Sequence, residues 1–286
     1  MREVASSAEL RAATDAARQR GAGVGFVPTM GALHAGHRSL LAAARRENDL
    51  VVASVFVNPL QFGPAEDLAS YPRDREADLA VLAAEGTDLA FLPADDEIWP
   101  APPEVRFRVT GPLAERLEGV ARPGHLDGVA TVVAKLLHLV GPARAYFGQK
   151  DAQQLAMVRR MVDDLAFPNR IVACPTVRDP DGLAVSSRNV YLSPDERRRA
   201  TALYRALSAG LAAFRAGERE PAAVEAAGRD LLEDAPGVEP DYVALVEPDS
   251  FEPAKEAAPG QVLATAARVG RTRLIDNLIL AAGAGP

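Results

Sequence analysis

The 286-residue chain is poor in cysteine, lysine and tryptophan, with one, three and one of each. Cys174 alone cannot close an intrachain disulfide, and no CxxC metal or redox motif is possible, so a reducing, cytoplasmic setting is expected. No run approaches the roughly 18 apolar residues of a membrane-spanning helix. The N-terminal stretch MREVASSAELRAATDAARQR lacks the apolar centre of a secretion signal, so neither export nor membrane insertion is expected. Positive charge is also short: 32 basic residues face 39 acidic ones, a net charge of -7. That balance argues against nucleic acid or an anionic membrane as partner, because polyanions are held by clustered positive charge. Small-molecule chemistry is the better expectation. With lysines only at 135, 150 and 255, a lysine in a loop stands out against an arginine background.

What is present is ordinary globular material, 48% hydrophobic and 25% charged, long enough for one large domain or two smaller ones. Apolar runs bounded by turn residues predict strands at Val24–Pro28, Leu50–Val57, Asp88–Pro93, Ala143–Phe147 and Ile171–Cys174. Helical patterns at His37–Asn48, Arg73–Glu85, Leu126–Val140 and Asp151–Ala166 lie between them. Alternation of this kind predicts a doubly wound parallel α/β sheet, and continuous runs such as LVVASVFV fit strands covered on both faces. The proline-rich Pro93–Pro103 reads as an irregular excursion.

After Pro175 the alternation stops. Helices are predicted at Pro194–Arg215 and Pro221–Glu233, then strands at Asp241–Val246, Val262–Val269 and Arg273–Leu280. The expectation is a first domain over residues 1–176 and a smaller α+β domain over residues 177–286. The small residues of 281–286 predict a disordered end.

Three connections carry polar residues that a core does not need, at strand ends where open α/β sheets bind ligands. Val27 to His37 holds two glycines and two of the four histidines, His34 and His37, three apart at a helix start where backbone N–H groups attract phosphate. Phe147-Gly-Gln-Lys-Asp151 presents Lys150, with Asp151 as a helix cap. Asp181 to Asn189 offers Ser186, Ser187 and Arg188 as clustered donors. Asn58 and Gln61 follow a buried strand, where an amide can read a carboxylate or hydroxyl or simply form a turn. Arg122 and His125 are ambiguous between caps and ligands. The H-x-x-H pair could in principle hold zinc, yet His125, His138 and Cys174 match no metal-site spacing. Gly21-x-Gly-x-Gly25 precedes a strand, whereas a dinucleotide fingerprint follows one.

The segments PTMGALHAGH, FVNPLQFG, RPGHLDGV, FGQKDAQQL and DGLAVSSRN resemble, in order and spacing, those of the pantoate–β-alanine ligase (pantothenate synthetase) family of HIGH-motif nucleotidyltransferases. The resemblance implies a Rossmann-like doubly wound domain followed by a smaller α+β lid. It implies condensation of pantoate with β-alanine through a pantoyl adenylate, with ATP as substrate and Mg²⁺ present, in a cytoplasmic homodimer. By the same resemblance Met30, Gly31, Ala32, Leu33, His34, Ala35, Gly36 and His37 line the ATP site. Gly148, Gln149, Lys150, Asp151, Val177, Val185, Ser186, Ser187 and Arg188 complete it. His34, His37, Lys150 and Arg188 are the catalytic expectations. Gln61 and Gln154 are implied for pantoate, Gln61 also for β-alanine, and Asn58, Tyr71 and Arg122 as supporting residues. Val185, Gln149 and Leu60 depart from the common methionine, glutamate and methionine of the family. Two rival readings are a different nucleotidyltransferase on the same fold and a nucleotide binder without turnover.

Overall fold

The computed structural model describes residues 1–64 and 66–282 of the chain; residues 283–286, most of the stretch with an expected disordered end, lie outside them. In chain order the elements begin with β1 (Arg2–Val4), α1 (Ser7–Gln19), β2 (Val24–Thr29), α2 (Ala35–Glu47), β3 (Leu50–Val55), α3 (Arg75–Ala84) and β4 (Leu89–Phe91). One-turn helices α4 (Asp95–Ile98), α5 (Pro112–Glu115) and α6 (Glu118–Ala121) lead to α7 (His125–Val140), β5 (Arg144–Gly148), α8 (Ala152–Asp164) and β6 (Arg170–Cys174). The remainder is α9 (Pro194–Ala200), α10 (Ala202–Arg215), α11 (Pro221–Glu233), β7 (Val238–Val246), β8 (Val262–Val269) and β9 (Thr272–Ile279).

Strands β1 to β6 form one wholly parallel sheet in the order β1-β4-β3-β2-β5-β6. The five predicted strands are its inner members and one edge. The other edge, β1, has three residues, too few to show a period, and pairs with β4 from Arg2–Leu89 to Val4–Phe91. Helix α1 was likewise not expected, although Ser6 caps it by accepting the Glu9 N–H. Val27, Leu41, Val51, Ala53, Leu82, Ala90 and Tyr146 pack together, binding α2 and α3 to the sheet. The sequence order reverses between β2 and β5, which makes the carboxyl end of β2 the place to look for ligand chemistry.

The other sheet is the antiparallel meander β7-β8-β9. Helices α10 and α11 cover it through Leu203, Leu207, Phe214, Val224 and Leu232, packed on Val243, Leu245 and Leu263. Burying each such side chain contributes about 1.5–3 kcal/mol. The predicted helix Pro194–Arg215 is broken in two at Thr201, whose hydroxyl bonds back to the Arg198 carbonyl. Ser193 opens it with a capping box completed by Glu196. Pro93–Pro103 contains the turn α4 rather than being irregular throughout.

The chain divides into two compact units: Met1–Gly148 with Met157–Pro175, and Gln149–Ala156 with Thr176–Pro286. Segment Gln149–Ala156, expected in the first domain, groups with the second unit. Part of the cause is Asn277 on β9, whose side-chain amide donates to the carbonyls of Gln149 (2.9 Å) and Lys150 (2.8 Å).

Candidate active site

In the first unit, β2 runs into Met30–Leu33, which turns through two left-handed residues, Gly31 (φ 83°) and Ala32 (φ 50°). Glycine is needed at 31 for conformation and for space, since a Cβ there would lie 2.7 Å from Asp78 Oδ2. Asp78 on α3 accepts the backbone N–H groups of Ala32 (3.1 Å) and Leu33 (2.8 Å). Burial pushes its carboxyl pKa up, and these two amides pull against that. A buried carboxylate therefore sets the turn that delivers the next residue to the head of α2.

That residue is His34, the cap of α2. Its Nδ1 accepts the Gly36 N–H at 3.1 Å, while His37 Nδ1 accepts the His34 N–H at 3.3 Å. The rings lie 4.1 Å apart, tilted by 38°. With both Nδ1 atoms accepting, each neutral imidazole carries its proton on Nε2 and is fixed as an Nε2–H donor. Two such donors at the positive end of a helix form an anion-binding arrangement.

Beyond β3, Asn58 caps a 3₁₀ turn, Pro59–Gln61. The turn lies directly on α7, where a Cβ on Gly128 would meet the Leu60 carbonyl oxygen at 2.1 Å. Asn58 Nδ2 donates to Gly128 O (3.1 Å) and Gln61 Oε1 (3.2 Å), and Gln61 Nε2 meets the Met30 sulfur at 3.0 Å. Thioether sulfur is a weak acceptor, so the donor side of the Gln61 amide is held toward the end of β2 with no stronger acceptor among the described residues.

Arg122 is engaged by protein. Its Nε donates to Glu66 Oε1 at 2.8 Å, its Nη2 to Glu66 Oε2, and its Nη1 lies 2.9 Å from His125 Nε2. Although burial pushes Glu66 up, the Arg122 bond and charge hold its carboxyl below the ordinary value. His125 Nδ1 is 2.8 Å from the Gln61 carbonyl, so Nδ1 carries the proton and Nε2 accepts from Arg122. Burial, then the Arg122 charge, lowers its pKa to about 4, which makes it a neutral bridge from Arg122 to the Gln61 backbone. Tyr71 is buried edge-on against Phe62.

In the second unit, Lys150 stands in the 3₁₀ turn Gln149–Asp151, 3.7 Å from the Asp151 carboxylate. Gln154 lies half-buried in the first turn of α8. The neighbour of Asn277, Asp276, takes a bidentate pair from Arg178 (2.6 and 2.9 Å), and that guanidinium stacks on Tyr204. Val177 and Val185 are joined by a backbone bond, and Ser186 caps the turn Ser187–Tyr191 by accepting the Arg188 N–H. Arg197 braces the intervening loop by pairing with Asp179 and Asp181. Among the described residues no group of three or more His, Cys, Asp or Glu side chains gathers as a metal cage.

The structure thus brings Met30–His37, Asn58 and Gln61 together within the first unit, and Gln149–Asp151 onto β9 within the second. Sequence reasoning passed over Asp78, Glu66 and Trp99; the last donates its indole N–H to Asn58. None carries a local motif.

The wholly parallel sheet and the imidazole pair at the head of α2 define an α/β enzyme of the Rossmann-like class. A family model for pantoate-beta-alanine ligase matches residues 2–279. A pantothenate synthetase of Roseiflexus castenholzii is 53% identical over 282 residues, covering 99% of this chain and 100% of the relative. The crystal structure of pantothenate synthetase from Thermus thermophilus is 52% identical, with a TM-score of 0.92 over 98% of this chain and 99% of that one. A Francisella tularensis pantoate-beta-alanine ligase, crystallised with beta-gamma ATP and beta-alanine, is 31% identical with a TM-score of 0.80, covering 98% and 97%. The chain belongs to the pantoate-beta-alanine ligase family.

Proposed function

We propose that the ligation of pantoate to β-alanine, the activity of this chain's family, runs here in two half-reactions with ATP. A pantoate carboxylate oxygen attacks the α-phosphorus of ATP, and the bond to the bridging oxygen breaks to release pyrophosphate. The β-alanine amine then attacks the acyl carbon of pantoyl adenylate, AMP leaves with the C–O electron pair, and the ammonium so formed loses its proton.

The first step needs no general base, because the carboxylate is ionised at neutral pH. Its barrier is electrostatic: two anions meet while charge builds on phosphoryl oxygens. The observation that carries the reading is the pair of Nε2–H donors, His34 and His37, fixed at the head of α2. Lys150 and Arg188 are assigned to the same phosphoryl charge, with Met30–Leu33, Ala35, Gly36, Gly148, Gln149, Asp151, Val177 and Val185–Ser187 contacting the nucleotide. Gln61 is assigned to pantoate and β-alanine and Gln154 to pantoate. Asn58 supports Gln61, Arg122 acts through Glu66 and His125, and Tyr71 packs edge-on against Phe62. Bound with the nucleotide, Mg²⁺ would supply positive charge against the developing phosphoryl charge that His34, His37, Lys150 and Arg188 are assigned to stabilise. We extend the proposal to a homodimer working in the cytoplasm.

The test is exchange of labelled pyrophosphate into ATP with Mg²⁺ and pantoate present and β-alanine absent. Exchange that requires pantoate supports a reversible adenylate. Folded, ATP-binding protein without exchange overturns the two-step reading.

A further inference from the structure

The orientation of Gln61 depends on a residue outside every motif. Trp99, the single tryptophan of the sequence, ends α4 and places its indole Nε1 3.2 Å from Asn58 Oδ1. An indole N–H can only donate, so the Asn58 atom it meets must be the oxygen. Asn58 Nδ2 then faces Gly128 O and Gln61 Oε1, and Gln61 in turn must present its Nε2–H group. Apart from Gln61 itself, the other groups that bond Asn58 are backbone: Gly128 O and a long bond from Leu60 N at 3.4 Å. Trp99 is the side chain that completes the set, for an asparagine 1% exposed.

Trp99 is itself anchored. Its backbone N–H closes α4 on Asp95 O at 2.7 Å. The Lys135 ammonium sits 4.7 Å over the ring and also donates to Ile98 O. Lys135 lies on α7, the helix that carries Gly128 and His125. One helix therefore packs against the Gln61 turn and sets a cation over the face of the indole.

We propose that Trp99 is a positioning residue for pantoate: its indole N–H, through Asn58, holds Gln61 with its Nε2–H group toward Met30 at the end of β2, for a substrate carboxylate or hydroxyl oxygen. This rests on the reading of Gln61 as a pantoate contact. Trp99→Phe in the full chain keeps an aromatic ring under Lys135 and removes the donor. In pyrophosphate exchange its pantoate KM rises about 3- to 10-fold, the range for one net hydrogen bond, while the ATP KM holds and the thermal midpoint falls by only a few degrees. An unchanged pantoate KM overturns the proposal, and so does an equal rise for ATP, which marks general loosening.

The pantoate Kd, by calorimetry with a non-reactive ATP analogue, is then compared in Gln61→Ala and in the double variant. Trp99→Phe weakens binding in the wild-type background and adds nothing once Gln61 is removed. Equal factors in both backgrounds overturn the coupling. An unchanged Kd in Gln61→Ala alone overturns the reading of Gln61 itself, an outcome distinct from failure of Trp99.

Discussion

His125 makes the stability of the first unit depend on pH in a window that can be calculated. In the unfolded chain its pKa is 6.5; folded, burial and the Arg122 charge lower it to about 4. Above pH 6.5 both states are neutral and its contribution is complete. As pH falls the unfolded chain takes up the proton first, and stability is lost until the folded ring also protonates near pH 4. At about 1.4 kcal/mol per pH unit, the loss reaches about 2 kcal/mol by pH 5 and about 3 kcal/mol by pH 4. His125→Asn retains an amide donor for the Gln61 carbonyl and removes the titrating group. Urea unfolding followed by the fluorescence of Trp99, which lies in the same unit, gives the difference between wild type and variant at pH 7, 6, 5 and 4. The wild type should lose about 2 kcal/mol more than the variant between pH 7 and 5. Parallel losses would refute the assignment of His125 as a neutral bridge.

Asp78→Asn turns an NH₂ group toward one of the two backbone N–H groups that Asp78 now accepts. Relief of carboxylate burial offsets part of the lost bond, so the thermal midpoint moves by only a few degrees while kcat falls roughly 10- to 100-fold through misplacement of His34. A normal kcat would show that the turn is set elsewhere. Gly128→Ala drives a methyl into the Leu60 carbonyl and should cost about 1–3 kcal/mol by denaturant unfolding, with a raised pantoate KM. Lys150→Ala should leave stability near wild type, because Asn277 holds the backbone of this turn, while lowering kcat for exchange roughly 10²- to 10³-fold. An unchanged kcat removes Lys150 from the phosphoryl site.

The inner strands were legible because each is a short apolar run closed by turn residues, and the segments after them were legible because they hold polar groups a core does not need. Interactions between distant segments were not. Asp78 lies 45 residues from Leu33 and Trp99 41 from Asn58, so no local spacing links them. Arg122 and His125 were ambiguous in sequence for the same reason, since their roles depend on Glu66 and on the Gln61 carbonyl. Helical periodicity carried Pro194–Arg215 across Thr201, where the backbone stays right-handed helical while the N–H and hydroxyl of Thr201 both turn to the Arg198 carbonyl, a tightened turn that separates α9 from α10. The N-terminal β1 and α1 were missed, β1 for its brevity and α1 because Leu10 is the only large apolar residue marking its buried face, beside Thr14 and Ala17.

The grip of Asn277 on the turn at Lys150 joins segments 127 residues apart, the later of them on the last strand. During synthesis the lysine assigned to phosphoryl charge leaves the ribosome long before the strand that anchors its turn. A chain stopped short of β9 would therefore carry every motif residue and still leave Lys150 without that anchor. On the proposed role of Lys150, products truncated before β9 should therefore adenylate more slowly than the full chain.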